Sequence, residues 1–118
     1  MEKIILNFPF RLITKDNAKM ITKLGKRIVP PKFKAFEKSV SLAARQQYKR
    51  DVITDDLKME IIAYYKDKKH SDCGNLSKSI CDALEGIVYD NDRQIKDLRI
   101  RLTENSKNDS FKVIISRL

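Results

Sequence analysis

The chain has 118 residues, 42% hydrophobic and 35% charged, with 25 Lys and Arg against 16 Asp and Glu for a formal net charge of +9. This length suits one domain with one core, taken here as residues 1–118, and the cationic excess points to a polyanionic partner, nucleic acid before an anionic membrane. No stretch approaches the ~18 apolar residues that span a bilayer, and the start lacks the long apolar run and cleavage site of a secretory signal.

In chain order, EKIILNF reads as a β-rich first strand ended by Pro9. The polar stretch TKDNAKMITKLGKR follows, with Gly25 as a turn, and RIVP reads as a short returning strand. Pro30-Pro31 can then open a helix, because proline is tolerated at a first helical position. KFKAFEKSVSLAARQQYKR fits that helix, with Phe33, Phe36, Val40 and Ala44 on one apolar stripe. Lys34, Lys38, Arg45 and Lys49 lie on another side. Such a row is either a solvated face or a track for a phosphate backbone.

LKMEIIAYY, residues 57–65, reads as a strand, and the basic turn KDKKH, residues 66–70, brings Lys68 and Lys69. Residues 72–87 read as a second helix, KDLRIRLTE as a strand, NSKNDS as a turn and FKVIISRL as the last strand. The order β(β)αβαββ predicts an α/β or α+β fold, a small mixed sheet with two helices packed on it. Phe111, Val113, Ile114 and Ile115 of the last strand are candidates for core or for an interface between copies.

The charge is divided along the chain. Residues 1–50 hold 13 Lys and Arg against 3 acids, and residues 51–118 hold 12 against 13. The basic half is the candidate polyanion-binding footprint. Cys73 and Cys81, eight apart, match neither a zinc pair nor a redox pair and are expected as free thiols in a cytoplasmic protein. With His70 they make a poor zinc set.

The acids concentrate in SDCGNLSKSICDALEGIVYDNDRQI, residues 71–95. On the predicted helix, Leu76, Ile80, Ala83, Leu84 and Ile87 form the core face, and Asn75, Lys78, Asp82 and Glu85 a polar face. Asp72 stands where an N-cap would be, and Asp90-Asn91-Asp92 where a turn would be. The chemical reading of the same residues is a metal site. If tertiary packing brings the two ends together, Asp72 and Asp92 offer hard oxygen ligands to Mg²⁺. Lys78 then supplies a positive charge as the phosphate reacts.

The run D-C-G-N-L-S-K, then D-A-L-E-G, then N-D-R-Q-I, resembles the RusA family of Holliday junction resolvases, whose pattern is roughly D-x-D-N-L-x-K, D-A-L with a glycine, and D-D-x-Q-[IV]. V-P-P-K-F-K-A-F-E, residues 29–37, is similar to the Pro-Lys-aromatic element that opens the family's first helix. The resemblance implies a RusA-like fold. It also implies a Mg²⁺-dependent endodeoxyribonuclease, with Mn²⁺ as a possible substitute, that resolves four-way junctions by paired nicks in recombination and repair. By position it implies metal binding by Asp72 and Asp92, cleavage with Lys78, and supporting roles for Asn75 and Asp82. DNA contacts are expected from Asn75, Lys78, Lys34, Lys38, Lys68 and Lys69. A homodimer, no membrane and no small-molecule substrate complete the expectation, for a cytoplasmic, nucleoid-associated protein of bacterial or phage origin.

Two positions depart from the pattern. Gly74 stands where the family has its second motif aspartate, and Asn91 where the first aspartate of the downstream pair lies. The alternative is therefore a junction-binding protein of the same fold with impaired catalysis. A plain basic or RNA-binding module, its acids serving as caps and turns, is a third reading. No RNA-binding signature accompanies it, and 5 Phe, 4 Tyr and no Trp give few rings for stacking.

Overall fold

A computed structural model of the chain describes residues 3–14, 20–21, 27–28 and 31–118. Among the described residues, six strands and two α-helices run in the order β1 (Ile4–Phe8), β2 (Met20–Ile21), β3 (Arg27–Ile28), α1 (Pro31–Gln47), β4 (Leu57–Tyr64), α2 (Ser77–Leu84), β5 (Ile95–Thr103) and β6 (Ser110–Arg117). Short 3₁₀ turns at Cys73–Asn75 and Asp92–Gln94 precede α2 and β5.

The four long strands form one mixed sheet in the order β1-β6-β4-β5. β6 is antiparallel to β1 and to β4, while β4 and β5 are parallel. The expected mixed sheet with two helices packed on it is what forms. β2 and β3 make a separate antiparallel pair. The short strand expected at RIVP covers β3, but β2 was read only as polar chain, because two residues carry no periodicity. The turn expected at Gly25 lies outside the described residues.

Alternation along the strands divides the sheet into two faces. Leu6 and Phe8 of β1, Met59, Ile61 and Ala63 of β4, and Phe111, Val113 and Ile115 of β6 are buried together on one face. Against them α1 lays the predicted stripe, Phe33, Phe36, Val40 and Ala44, all buried. Phe8 stacks on Phe111 at 4.5 Å with the rings 10° apart. Phe36 meets Phe111 at 6.0 Å. Burying one such ring contributes about 1.5–3 kcal/mol. Of the last-strand residues singled out, Phe111, Val113 and Ile115 are therefore core. Ile114 points to the opposite face, where its neighbour across β1 is Ile5.

α1 starts at Pro31 and ends at Gln47. The Gln47 side chain accepts a hydrogen bond from the Asn7 N–H at 2.7 Å and donates to the Asn7 carbonyl at 2.8 Å. That covers main-chain groups on the outer edge of β1 and blunts an edge open to strand addition.

The helix expected over residues 72–87 is shorter, for two local reasons. At its start, Cys73–Asn75 forms a 3₁₀ turn, and Asp72 gives the Asn75 N–H its main-chain carbonyl at 2.9 Å, not its carboxylate. The expected side-chain N-cap is absent. At its end, the chain leaves the helical region at Glu85 (φ −60°, ψ 137°) and enters a type II turn, whose third position Gly86 fills at φ +77°. The Leu84 carbonyl then accepts from the Ile87 and Val88 N–H groups, each at 3.1 Å. The core-face assignment survives this shortening, since Leu76, Ile80, Ala83, Leu84 and Ile87 are all buried.

The left-handed residue sets a test. Gly86→Ala should lower stability by about 1 kcal/mol, read from urea unfolding midpoints at unchanged m-value. An unchanged midpoint would mean that the turn after α2 does not depend on a positive φ at residue 86.

Candidate functional site

The crossover from β4 to β5, residues 65–94, contains Asp72, Asn75, Lys78, Asp82, Asp92 and the loop lysines Lys68 and Lys69. Its first part is tied to the N-terminal segment. Arg11 reaches Asp67 Oδ1 and Asp109 Oδ1, each at 3.1 Å, and the Lys69 carbonyl. Its guanidinium carbon also lies 4.8 Å from the centre of the Tyr65 ring. The Tyr65 hydroxyl donates to the Leu12 carbonyl at 2.7 Å. Thr14 and Ser71 share a buried hydrogen bond of 2.7 Å. The loop that ends in Asp72 is thus held at several points, with Lys68 and Lys69 exposed on it.

His70 belongs to this anchorage. Its ring stacks on Tyr65 at 4.6 Å and 20°. Nδ1 faces the Ser71 carbonyl at 2.9 Å and Nε2 faces a Glu104 carboxylate oxygen. Both partners are acceptors, so the ring satisfies both only when doubly protonated. The Ser71 carbonyl, and then Glu104, hold the His70 pKa above its ordinary value. Both His70 nitrogens are engaged, and the Cys73 thiol lies 3.6 Å from the Ile100 carbonyl. Neither cysteine is in a disulfide. Burial pushes the Cys81 thiol up to about 11, so it is not a thiolate at neutral pH.

Asp72, Asn75 and Lys78 are all exposed. Among the described residues, neither the Asp72 carboxylate nor the Lys78 ammonium is held in a hydrogen bond or ion pair. Gly74 sits between them in the 3₁₀ turn. A Cβ built there meets nothing within 4 Å, and the residue carries no positive φ. Nothing in the backbone or the packing requires glycine at this position.

The far end of α2 is organised by two residues. Asn91 Oδ1 accepts from the Arg93 N–H at 2.8 Å. Gln94 Oε1 accepts from the Asn91 and Asp90 N–H groups at 2.7 and 2.9 Å, closing a capping box. Gln94 Nε2 donates to the Ile53 and Asp55 carbonyls at 2.8 and 2.9 Å, tying this turn to the segment before β4. The amide oxygen of Asn91 is therefore engaged in the cap. Asp92 donates its N–H to Glu85 Oε1 at 2.8 Å and leaves its own exposed carboxylate without a partner among the described residues.

Asp92, Asp82 and Glu85 all act electrostatically on Cys81 and Tyr89, so the structure groups these three acids around one end of α2. Asp72 stands before the other end, and α2 alone is about 12 Å long. Among the described residues, no three His, Cys, Asp or Glu side chains converge as a metal-holding group. Lys34 and Lys38 lie exposed on α1. Reading residues one at a time missed Arg11, Glu85 and Gln94. For Gln94 a signal existed, since Asn91-x-x-Gln94 has capping-box spacing.

Lys66, Lys68, Lys69 and Lys78 share the crossover with Asp72, Asp82, Glu85 and Asp92, a mixed and exposed set of charges rather than a pocket with apolar walls. The model of the family described as Endodeoxyribonuclease RusA matches residues 9–116, and the chain belongs to that family. The match takes in every candidate site residue. A search of curated proteins found no match. Among the described residues no helix is long and apolar enough to cross a membrane.

His70 provides a pH test. Its raised folded pKa means that its contribution to stability is fully present below about pH 6.5. That contribution is lost as pH rises through the folded value. The stability difference between the protein and His70→Gln should therefore be larger at pH 5.5 than at pH 9. A difference that is flat or grows with pH would show that the ring does not bind as an imidazolium.

Proposed function

We propose that the protein is a divalent-metal-dependent endodeoxyribonuclease that resolves four-way DNA junctions by paired symmetric nicks, acting as a homodimer. The observation that carries this reading is that Asp72 and Asp92, which match the family's metal-binding aspartates, both keep exposed and uncommitted carboxylates. The alternatives for these groups were a helix cap and a turn. The cap uses the Asp72 main chain, and the turn uses Asn91 and Gln94.

The donor chemistry fits Mg²⁺ or Mn²⁺. Mg²⁺ takes hard oxygen ligands, commonly one or two carboxylates together with substrate phosphate, and retains several waters. Asp72 and Asp92 stand at opposite ends of α2, so within one copy of the chain each would offer an ion its own hard oxygen rather than share one; when bound, the ion would polarise a phosphodiester and lower the pKa of an attacking water. Lys78, on the exposed face of α2, offsets the negative charge that develops on the phosphate oxygens. Asn75 supports that contact with its side-chain amide. Lys34, Lys38, Lys68 and Lys69 bind flanking phosphates, an attraction that weakens steeply with salt. A four-way junction is nearly two-fold symmetric, and a two-fold dimer presents two opposed sites to it. A protein with this substrate works where the DNA is, in the bacterial or phage-infected cytoplasm.

Gly74 favours a second reading. The open space at its Cβ means that packing does not exclude a carboxylate there. In that reading the chain binds junctions but cleaves them slowly or not at all.

The test is a nicking assay on a synthetic four-way junction with Mg²⁺, run with the protein, Asp92→Asn and Gly74→Asp. Asp92→Asn should lose on the order of 100-fold or more in cleavage while junction affinity holds. Collapse of binding in that variant, or undiminished nicking, would remove Asp92 from the chemistry. Gly74→Asp should fold without loss of stability. If it alone cuts, the binding-only reading describes the natural chain.

A further inference from the structure

Among the described residues, the helices and the core occupy one face of the sheet, and the other face carries an ordered set of side chains. The strand registers arrange them in rows across the sheet. Ile5, Ile114, Glu60 and Arg99 make one row. Asn7, Lys112, Ile62 and Arg101 make the next. Ser110, Tyr64 and Thr103 make a third. Ile5 is 52% exposed, Arg99 and Arg101 are exposed, and Tyr64, Lys112 and Ile114 are half-buried.

Two features of this face point to its occupant. First, the strands place four cations on it, Lys58, Arg99, Arg101 and Lys112, against Glu60 and Asp97. Asp97 is already paired with Arg99 at 3.5 Å. A second copy of the chain would set cations against cations, whereas a polyanion is attracted. Second, a groove of about 530 Å³ opens beside the middle row, lined by Asn7, Pro9, Gln47, Tyr64, Ser110 and Lys112 among others. It combines an aromatic ring, an ammonium, the Asn7 amide and a hydroxyl in a space of nucleotide scale. Lys112 and Arg101 lie two strands apart, about 9.6 Å.

We propose that this open sheet face binds an unpaired stretch of DNA strand, with phosphates on Lys112 and Arg101 and a base stacked on Tyr64 in the groove. A flat basic face with an accessible ring suits single strands because every base offers a π-face. A duplex hides those faces in its stack. Gln47, the last residue of α1, borders the groove, whereas Lys34 and Lys38 lie in the first half of that helix. The inference rests on the family membership only for the polymer being DNA, not on cleavage.

The probe is a fluorescein-labelled single-stranded oligodeoxythymidylate of about 15 nucleotides, a length in the range that one small domain covers. It is titrated at several salt concentrations into the protein, Arg101→Ala/Lys112→Ala, Tyr64→Leu and, as a comparison, Lys34→Ala/Lys38→Ala. Thermal melting establishes that each variant is folded. The Arg101/Lys112 variant should bind at least about tenfold more weakly, and its slope of log K against log salt should shrink by about 1.4 for two phosphates. Tyr64→Leu should weaken binding about tenfold at unchanged slope. Failure of the wild-type chain to bind, or equal binding by folded variants of this face, overturns the inference. So does a loss confined to the α1 variant. Sheet-face variants that change the sedimenting mass but keep oligonucleotide affinity would assign the face to self-association instead. Oligonucleotide binding by a chain that never nicks a junction would leave this inference standing and sink the nuclease reading; nicking without such binding would do the reverse.

Discussion

β4 and β5 lie side by side and run the same way, and much of the molecule follows from that pairing. Parallel neighbours cannot be joined by a hairpin; the chain must travel back along the sheet before it can start the second strand. Residues 65–94 make that return. They cover the core with Leu76, Ile80, Leu84 and Val88 and carry the matched family motif on their outer side. The crossover is both a structural necessity and the place where the chemistry is proposed. Its two ends need firm ties. Arg11, Tyr65 and His70 supply them at the start, and Gln94 supplies them at the finish.

This division explains what could be read from the chain in advance. The α1 stripe was legible because burial every three to four residues leaves a pattern in sequence. β4 and β6 were legible from their apolar, β-branched runs. The 3₁₀ turn at Cys73–Asn75 left no such trace, since it buries no residue and has no period. The early stop of α2 was half-legible: Gly86 was visible, but its left-handed backbone was not. The tie between Arg11 and the 65–71 loop was out of reach, because Arg11 and Asp67 lie 56 positions apart. No local rule links them.

For the candidate site, residue types and spacing selected the right segment, and the family match covers it. They did not separate the residues that build the segment from those left uncommitted. Gln94 looked like one more motif letter and is a structural clamp with four hydrogen bonds. Asp72 looked like a cap and is not one. Asn91 stood in an expected turn, and its side-chain oxygen caps that turn. Hydrogen bonding between side chain and main chain decides each case, and it depends on backbone direction, which composition does not encode.

β6 lies in the middle of the sheet, although it is the last strand. Among the described residues β1 pairs with it alone, joining Ile4 to Ile115 across nearly the whole chain. A nascent polypeptide therefore carries β1 as an unpaired, apolar segment until residues 110–117 have emerged. β4, α2 and β5 can assemble earlier because their contacts are closer in sequence. β1 is thus synthesised first and secured last. Until then β1 is exposed to the wrong pairings that an open strand invites.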